Sequence, residues 1–277
     1  MNLSRHIVIA SAALLVVSAC AKPTTQRPVS SKEEIQREQQ LQAQAAKQAN
    51  MHFNDKKKYS AEDIKIMAGR LGVISGPIEQ ASGQLCMELT NGKGKCTFEV
   101  ILDADEKGLN AHADGQNVVV YPAMIDFARN DSQLAFVIAH EFAHNIMGHQ
   151  QALMRNVTIG AVLGTLVDVA ASSQGANTQG QFGQLGAQQG QLSYSSEFEH
   201  EADYVGLYIL ARAGFKIEDA PNFWREMSLA EPDAIYISTT HPNNPQRTIE
   251  MDKVVKEIRA KQQQGLPLLP NIKVKKS

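Results

Sequence analysis

The stretch FVIAHEFAHNIMGHQ, residues 136–150, sets His140 and His144 four apart with Glu141 directly after the first. On a helix, residues four apart differ by about 40° in direction, so both imidazoles project from one face and can converge on a single ion. Glu141 points about 100° away, beside that ion, where a base acting on an activated water is needed. The competing reading is a pair of core histidines held by hydrogen bonds. A third ligand separates the two readings. The extended motif HExxHxxGxxH needs a glycine at position 147 and a histidine at 150, and this chain has Met147 and Gln150 there. His149, five residues after His144, lies about 140° off the metal face and reads as a helix-end or rim histidine.

The other source of a ligand is a carboxylate on a second helix. SSEFEHEADYVGLYIL, residues 195–210, offers Glu197, Glu199 and Glu201. Its apolar stripe runs through Ala202, Gly206, Ile209, Leu210 and Ala213. Glu199 lies within about 40° of the stripe's centre and Glu201 about 120° away, so Glu197 and Glu201 are expected in solvent. A core-facing carboxylate is costly unless paired or bound to metal, which makes Glu199 the expected third ligand to one Zn2+ per chain. Asp203, one turn later on the same face, is placed to accept the free ring N–H of a ligand histidine. His112 and His200 read as surface or rim groups.

These elements sit in a chain of 277 residues with 43% hydrophobic content and a net charge of -2, enough for one sizeable core and without the charge excess that marks nucleic-acid binding. MNLSRHIVIASAALLVVSAC opens with Arg5, an apolar run from Ile7 to Val17 and small residues, the pattern of a signal peptide over residues 1–19. Val17-Ser18-Ala19-Cys20 resembles a lipoprotein lipobox, which implies a lipid on Cys20 and a membrane-anchored, periplasm-facing protein of the outer membrane; an ordinary secreted protein with a chance cysteine at the cleavage site is the alternative. Residues 20–59 are poor in large apolar side chains and predict a flexible tether, helical from about Lys32 to Gln48. SAEDIKIMAGRLGVI predicts a capped amphipathic helix from Ser60. Strands are expected at Gln84 to Leu89, Cys96 to Leu102 and Asn117 to Tyr121, with Cys86 and Cys96 facing each other across the turn TNGKGK; two unpaired thiols are the alternative. A buried helix is expected from Asp131 or Ser132 to near Gly148. The apolar run 157–173 could be a lid, a membrane-touching helix or core, with core or lid packing the preferred reading because it is short for a membrane span, and the Gln/Gly tract 174–191 is read as a flexible loop. Helices from Ser195 to Ala213 and from Gln246 to Lys261, then a tail over 263–277, complete the chain. The expected fold class is α+β, a mainly helical zincin-like domain over residues 60–262 with a small antiparallel sheet.

HEFAH with the later Glu-x-x-Ala-Asp resembles the HtpX, LoiP and BepA group of gluzincin metallopeptidases, with the single-domain LoiP-like lipoproteins as the nearer type. LNAHADGQNVVVYPAMI, residues 109–125, is similar to the group's edge strand, and HPNNPQR, residues 241–247, to its late His-Pro-x-x-x-x-Arg element. The resemblance implies a zinc endopeptidase in which Glu141 is the base and His241 and Arg247 lie beside the metal, where His241 would stabilise the oxyanion or occupy the open site; a helix-capping His-Pro with a surface arginine is the alternative. It also implies that Ala111, His112 and Ala113 pair with an extended substrate, an unfolded or flexible polypeptide. A non-catalytic zinc lipoprotein acting as a chaperone or assembly factor is the rival reading.

Overall fold

The computed structural model describes residues 21–48, 57–192, 195–230 and 245–273. The chain divides into two compact units. The larger, formed by residues 24–147 and 199–273 among those described, holds the hydrophobic core.

In this unit α1 (Lys32–Gln48) is followed by α2 (Ala61–Thr90). Ser60 caps α2 with a capping box: its hydroxyl accepts the Asp63 N–H, and the Asp63 carboxylate accepts the Ser60 N–H. The buried stripe Met67, Leu71, Ile74, Ile78, Ala81, Leu85 runs at helical spacing past Pro77, so the strand expected at Gln84 to Leu89 is instead the last part of a 30-residue helix. Asn91, left-handed at φ 51°, closes that helix, and TNGKGK is its terminus, not a hairpin. Cys86 and Cys96 are nonetheless disulfide-bonded, with Cα atoms 5.5 Å apart, joining the helix end to the extended segment that leads into β1.

Three short strands follow: β1 (Val100–Leu102), β2 (Ala111–Ala113) and β3 (Val118–Val120). Their order is β1-β3-β2, with β2 antiparallel and β1 parallel to β3. The fold is α+β and mainly helical as expected, but its sheet is mixed, because β1 reaches β3 by a connection that contains β2 and not by a tight turn. β1 and β2 are the two edge strands. Pro122 opens the short helix α3 (Pro122–Phe127), where a missing N–H costs nothing. The central helix α4 (Asp131–Met147) is buried from Gln133 through Ala143 and packs against α2, β2 and β3.

Residues from Glu199 onward in α7 (Ser195–Arg212), α8 (Asp219–Ala230) and α9 (Pro245–Gln263) complete the unit. The N-terminal segment is docked and is not the expected tether: Gln26 N–H donates to the Asn271 carbonyl at 2.7 Å, Lys273 N–H donates to that of Thr24 at 2.8 Å, and α1 packs on α8 and α9.

The smaller unit contains residues 21–23 and 148–198. Its helices α5 (His149–Ser172) and α6 (Gln181–Leu192) pack as a pair, so half of the Gln/Gly tract expected to be a loop is helical. Glycine makes this possible. A Cβ on Gly160 would lie 1.9 Å from the Gly186 carbonyl oxygen, and one on Gly164 would lie 1.9 Å from that of Phe182. Backbone meets backbone at a distance no side chain permits.

Candidate metal centre

Three helices of the larger unit build the site: α4 carries His140, Glu141 and His144, α7 carries Glu199 and Asp203, and α9 carries Arg247. α7 approaches α4 closely at Gly206, where a Cβ would stand 3.1 Å from both Cα and N of His140. At that approach His140 Nε2 is 3.1 Å from His144 Nε2 and 3.4 Å from Glu199 Oε2, while His144 Nε2 is 3.3 Å from Glu199 Oε1. Donors bound to one tetrahedral ion at about 2.0–2.1 Å lie about 3.3–3.4 Å from each other. The two nitrogens and the carboxylate therefore already have the spacing of three corners around a single ion, and His140, His144 and Glu199 form the potential metal cluster among the described residues. Two imidazoles and a carboxylate suit a borderline divalent ion better than a hard one that prefers all-oxygen ligation.

Behind them lies a buried hydrogen-bonded group. Asp203 Oδ1 is 3.0 Å from His140 Nδ1. Arg247, fully buried, donates from Nε to Asp203 Oδ2 at 2.6 Å and from Nη2 to Oδ1 at 2.8 Å, and its Nη1 is 3.3 Å from Glu199 Oε2. Trp224 on α8 donates its Nε1–H to Asp203 Oδ1 at 3.1 Å. Its ring lies 4.1 Å beneath the Arg247 guanidinium and meets His140 edge-on at 5.7 Å.

Charge is strongly biased here. Burial pulls the His140 imidazole down, but hydrogen bonds to Asp203 and Glu199 outweigh it and lift the group to about 9. Burial likewise pushes Asp203 up, yet the Arg247 charge and its hydrogen bonds hold that carboxyl well below the ordinary range. Burial opposes the charge on Arg247, and Asp203 followed by Glu199 keeps it in place. The space between the donors favours positive charge.

The sequence-predicted residues divide clearly. His140, Glu141, His144, Glu199, Asp203 and Arg247 lie together, and Glu197 is exposed. Glu201 is a correction: it is 1% exposed and accepts the backbone N–H of Thr24 at 2.6 Å and of Thr25 at 2.5 Å. His200 is another, buried with Nδ1 2.8 Å from Glu250 Oε2, while Arg27 pairs with the same carboxylate. The periodicity argument for Glu201 and the rim reading of His200 failed because α7 is covered by the docked N-terminal segment on the side it leaves polar. His112 on β2 is half-buried and meets Tyr121 edge-on at 5.8 Å. The His149 ring stacks on Phe198 at 4.7 Å, both in the smaller unit. Cys20 and His241 lie outside the described residues.

Sequence reasoning also missed two residues that set the frame. Trp224, the single tryptophan, carries no motif. Asn145, next to a ligand candidate, accepts the Gly115 N–H at 2.9 Å and donates to the Asn117 carbonyl at 3.1 Å, tying the β2–β3 turn to α4.

This constellation is matched by the model of peptidase family M48 over residues 79–255, more than half of the chain. The chain belongs to that family. Its relatives include the beta-barrel assembly-enhancing protease of Escherichia coli K12, 31% identical over 175 residues that cover 59% of this chain and 36% of the relative. The Yersinia pestis protein of the same name is 35% identical over 140 residues, 46% of this chain and 28% of the relative. The mitochondrial metalloendopeptidase OMA1 of Saccharomyces cerevisiae is 27% identical over 146 residues, 50% of this chain and 41% of the relative. The chain thus spans 28% to 41% of the length of these family members.

Proposed function

We propose that this chain is a zinc metalloendopeptidase, held in the bacterial envelope by a lipid on Cys20, that cleaves misfolded or unassembled proteins. The observation that carries the reading is the pair of imidazole nitrogens 3.1 Å apart, each 3.3–3.4 Å from an oxygen of the Glu199 carboxylate, with Glu141 on the same turn of α4. His140, His144 and Glu199 would hold the ion and leave a position open. A bound zinc supplies Lewis acidity toward a water and toward the scissile carbonyl.

The protein's own groups do the rest. Glu141 takes the proton of the attacking water on its carboxylate and returns it to the leaving amine. Asp203, pinned by Arg247 and Trp224, accepts the Nδ1–H of His140 and fixes the tautomer that leaves Nε2 free to bind. Ala111 to Ala113, on the sheet edge and tied to α4 through Asn145, pair with the backbone of an extended substrate, which selects flexible chains over folded ones. By the family resemblance alone His241 would lie beside the metal, where it would stabilise the oxyanion or occupy the open position. The envelope location and the substrate class draw support from the lipobox and from relatives named as beta-barrel assembly-enhancing proteases.

Metal analysis and casein cleavage test this directly. The purified chain is expected to carry one zinc, lost in Glu199→Ala. Glu141→Gln keeps the zinc and loses cleavage by at least about a hundredfold. A Glu141→Gln protein that still complements a deletion strain would instead favour the rival chaperone reading, and a wild-type protein without zinc would end both.

A further inference from the structure

The helical pair of the smaller unit leaves a face uncovered. On α5, Met154, Val162, Leu166 and Val169 are each more than half exposed and fall within an arc of roughly 120°, opposite the Asn156, Gly160 and Asp168 side that packs on α6. The polar groups on that face need little from water. Thr158 donates its hydroxyl to the Met154 carbonyl at 2.9 Å, and Thr165 donates to that of Ala161 at 2.9 Å, so both present their methyl groups outward. Charge is almost absent: between Val157 and Leu192 the one ionisable residue is Asp168, which is buried and accepts the Gly183 N–H at 2.8 Å. Arg155, exposed, stands at the N-terminal end of the stripe.

A second observation says what covers the face. Ala21 N–H donates to the Asn156 side chain at 2.6 Å, so the residue next to Cys20 is fastened to α5 beside Arg155. Ala21 thus holds the chain at the N-terminal end of α5, the end at which the uncharged stripe begins with Met154 beside Arg155, and the residue that would carry the lipid directly precedes it in the sequence.

We propose that the exposed face of α5 lies on a phospholipid bilayer as a second membrane contact beside the lipid anchor; the placement rests on the reading of Cys20 as acylated. By length and composition α5 could cross a bilayer, but its partner could not. α6 has 12 residues, about 18 Å against the roughly 30 Å of a hydrocarbon core, and it exposes Gln184, Gln188, Gln189 and Gln191 together with Leu185 and Leu192. The pair therefore rests in the interface, with the α5 stripe toward the acyl chains and the α6 glutamines toward water. A lipid surface is favoured over a second copy or a substrate because the self-satisfied threonines offer a protein partner no hydrogen bond.

The test removes the anchor to isolate the face. Mature Cys20→Ser protein is floated with vesicles of phosphatidylethanolamine and phosphatidylglycerol. It is expected to bind, and Val162→Glu with Leu166→Glu is expected to lower the partition coefficient about tenfold or more, with unchanged far-ultraviolet dichroism and melting temperature. Failure of Cys20→Ser to float, or equal flotation of the double variant, overturns the proposal. So does sedimentation showing a dimer that the same substitutions dissolve. The anchor reading is judged separately, by the mass of the wild-type protein extracted from membranes.

Discussion

Arg247 is the group whose removal most directly tests the supporting structure. It is fully buried, places two short hydrogen bonds on Asp203, stands 3.3 Å from Glu199 and covers the Trp224 ring. Arg247→Met leaves the Asp203 carboxylate without its guanidinium, an uncompensated buried charge that costs about 3–5 kcal/mol. Asp203→Asn strands the guanidinium instead and costs a similar amount. If the two act as a pair, the double variant loses less than the sum, with a coupling of about 1–3 kcal/mol. Urea unfolding at pH 7 in excess chelator measures this on the protein without metal, and an unchanged m-value shows that the unfolded state is the same. Additivity within about 0.5 kcal/mol, or single costs below about 1 kcal/mol, would refute the reasoning, because the two residues would then not share a buried charge pair. Zinc retention against a chromophoric chelator gives the second readout: both single variants should release metal faster than wild type, since each loosens His140 through Asp203.

The docked N-terminal segment predicts that Glu201→Ala leaves the N–H groups of Thr24 and Thr25 without their acceptor, costing about 1–3 kcal/mol, whereas Glu201→Gln keeps an acceptor and costs less; hydrogen exchange at residues 24–27 should rise in the first and not in the second. Burial pushes the Glu250 carboxyl up, but hydrogen bonds from His200 and Gln246 and the Arg27 charge hold it below its usual value. Its folded-state value being depressed, its stabilisation is present above the unfolded-state value of about 4.3 and lost as pH falls through the folded value, so the stability gap between chelated wild type and Glu250→Gln should be clear at pH 7 and shrink below about pH 4. Gly206→Ala places a methyl 3.1 Å from the His140 backbone and should force α4 and α7 apart by a few tenths of an ångström, read as weaker zinc retention at nearly unchanged helix content.

What the sequence made legible follows the strength of each physical signal. The helices α1, α4, α7 and α9 were readable to within about two residues because each has a cap, a periodic stripe or a terminal glycine. α2 was misread past Pro77: Gly76-Pro77 and Asn91-Gly92 are strong turn signals, yet the 3.6-residue stripe runs through the first pair and the second is a helix cap. Tertiary packing overruled local propensity there. Glu199 was readable because a carboxylate on an apolar stripe demands a partner. Glu201 was not, since the segment that covers it lies 176 positions away at Thr25 and nothing in its own helix encodes that contact. Trp224 and Asn145 were invisible for the same reason.

The charges around the site decide between the metal reading and that of hydrogen-bonded core histidines. Glu141, Glu199 and Asp203 are three buried carboxylates, and Arg247 is the one buried guanidinium packed among them. Among the described side chains three carboxyl groups thus surround one guanidinium. A histidine pair with a structural role has no need of such an excess, and burying it would work against folding. The hydrogen bonds to Asp203 and Glu199 that raise the His140 value reflect the same excess of carboxyl groups. A divalent ion would offset that excess where the imidazole nitrogens and the Glu199 carboxylate converge. The arrangement therefore suits a dication better than a purely structural histidine pair, with Arg247 pairing chiefly with Asp203 behind the site.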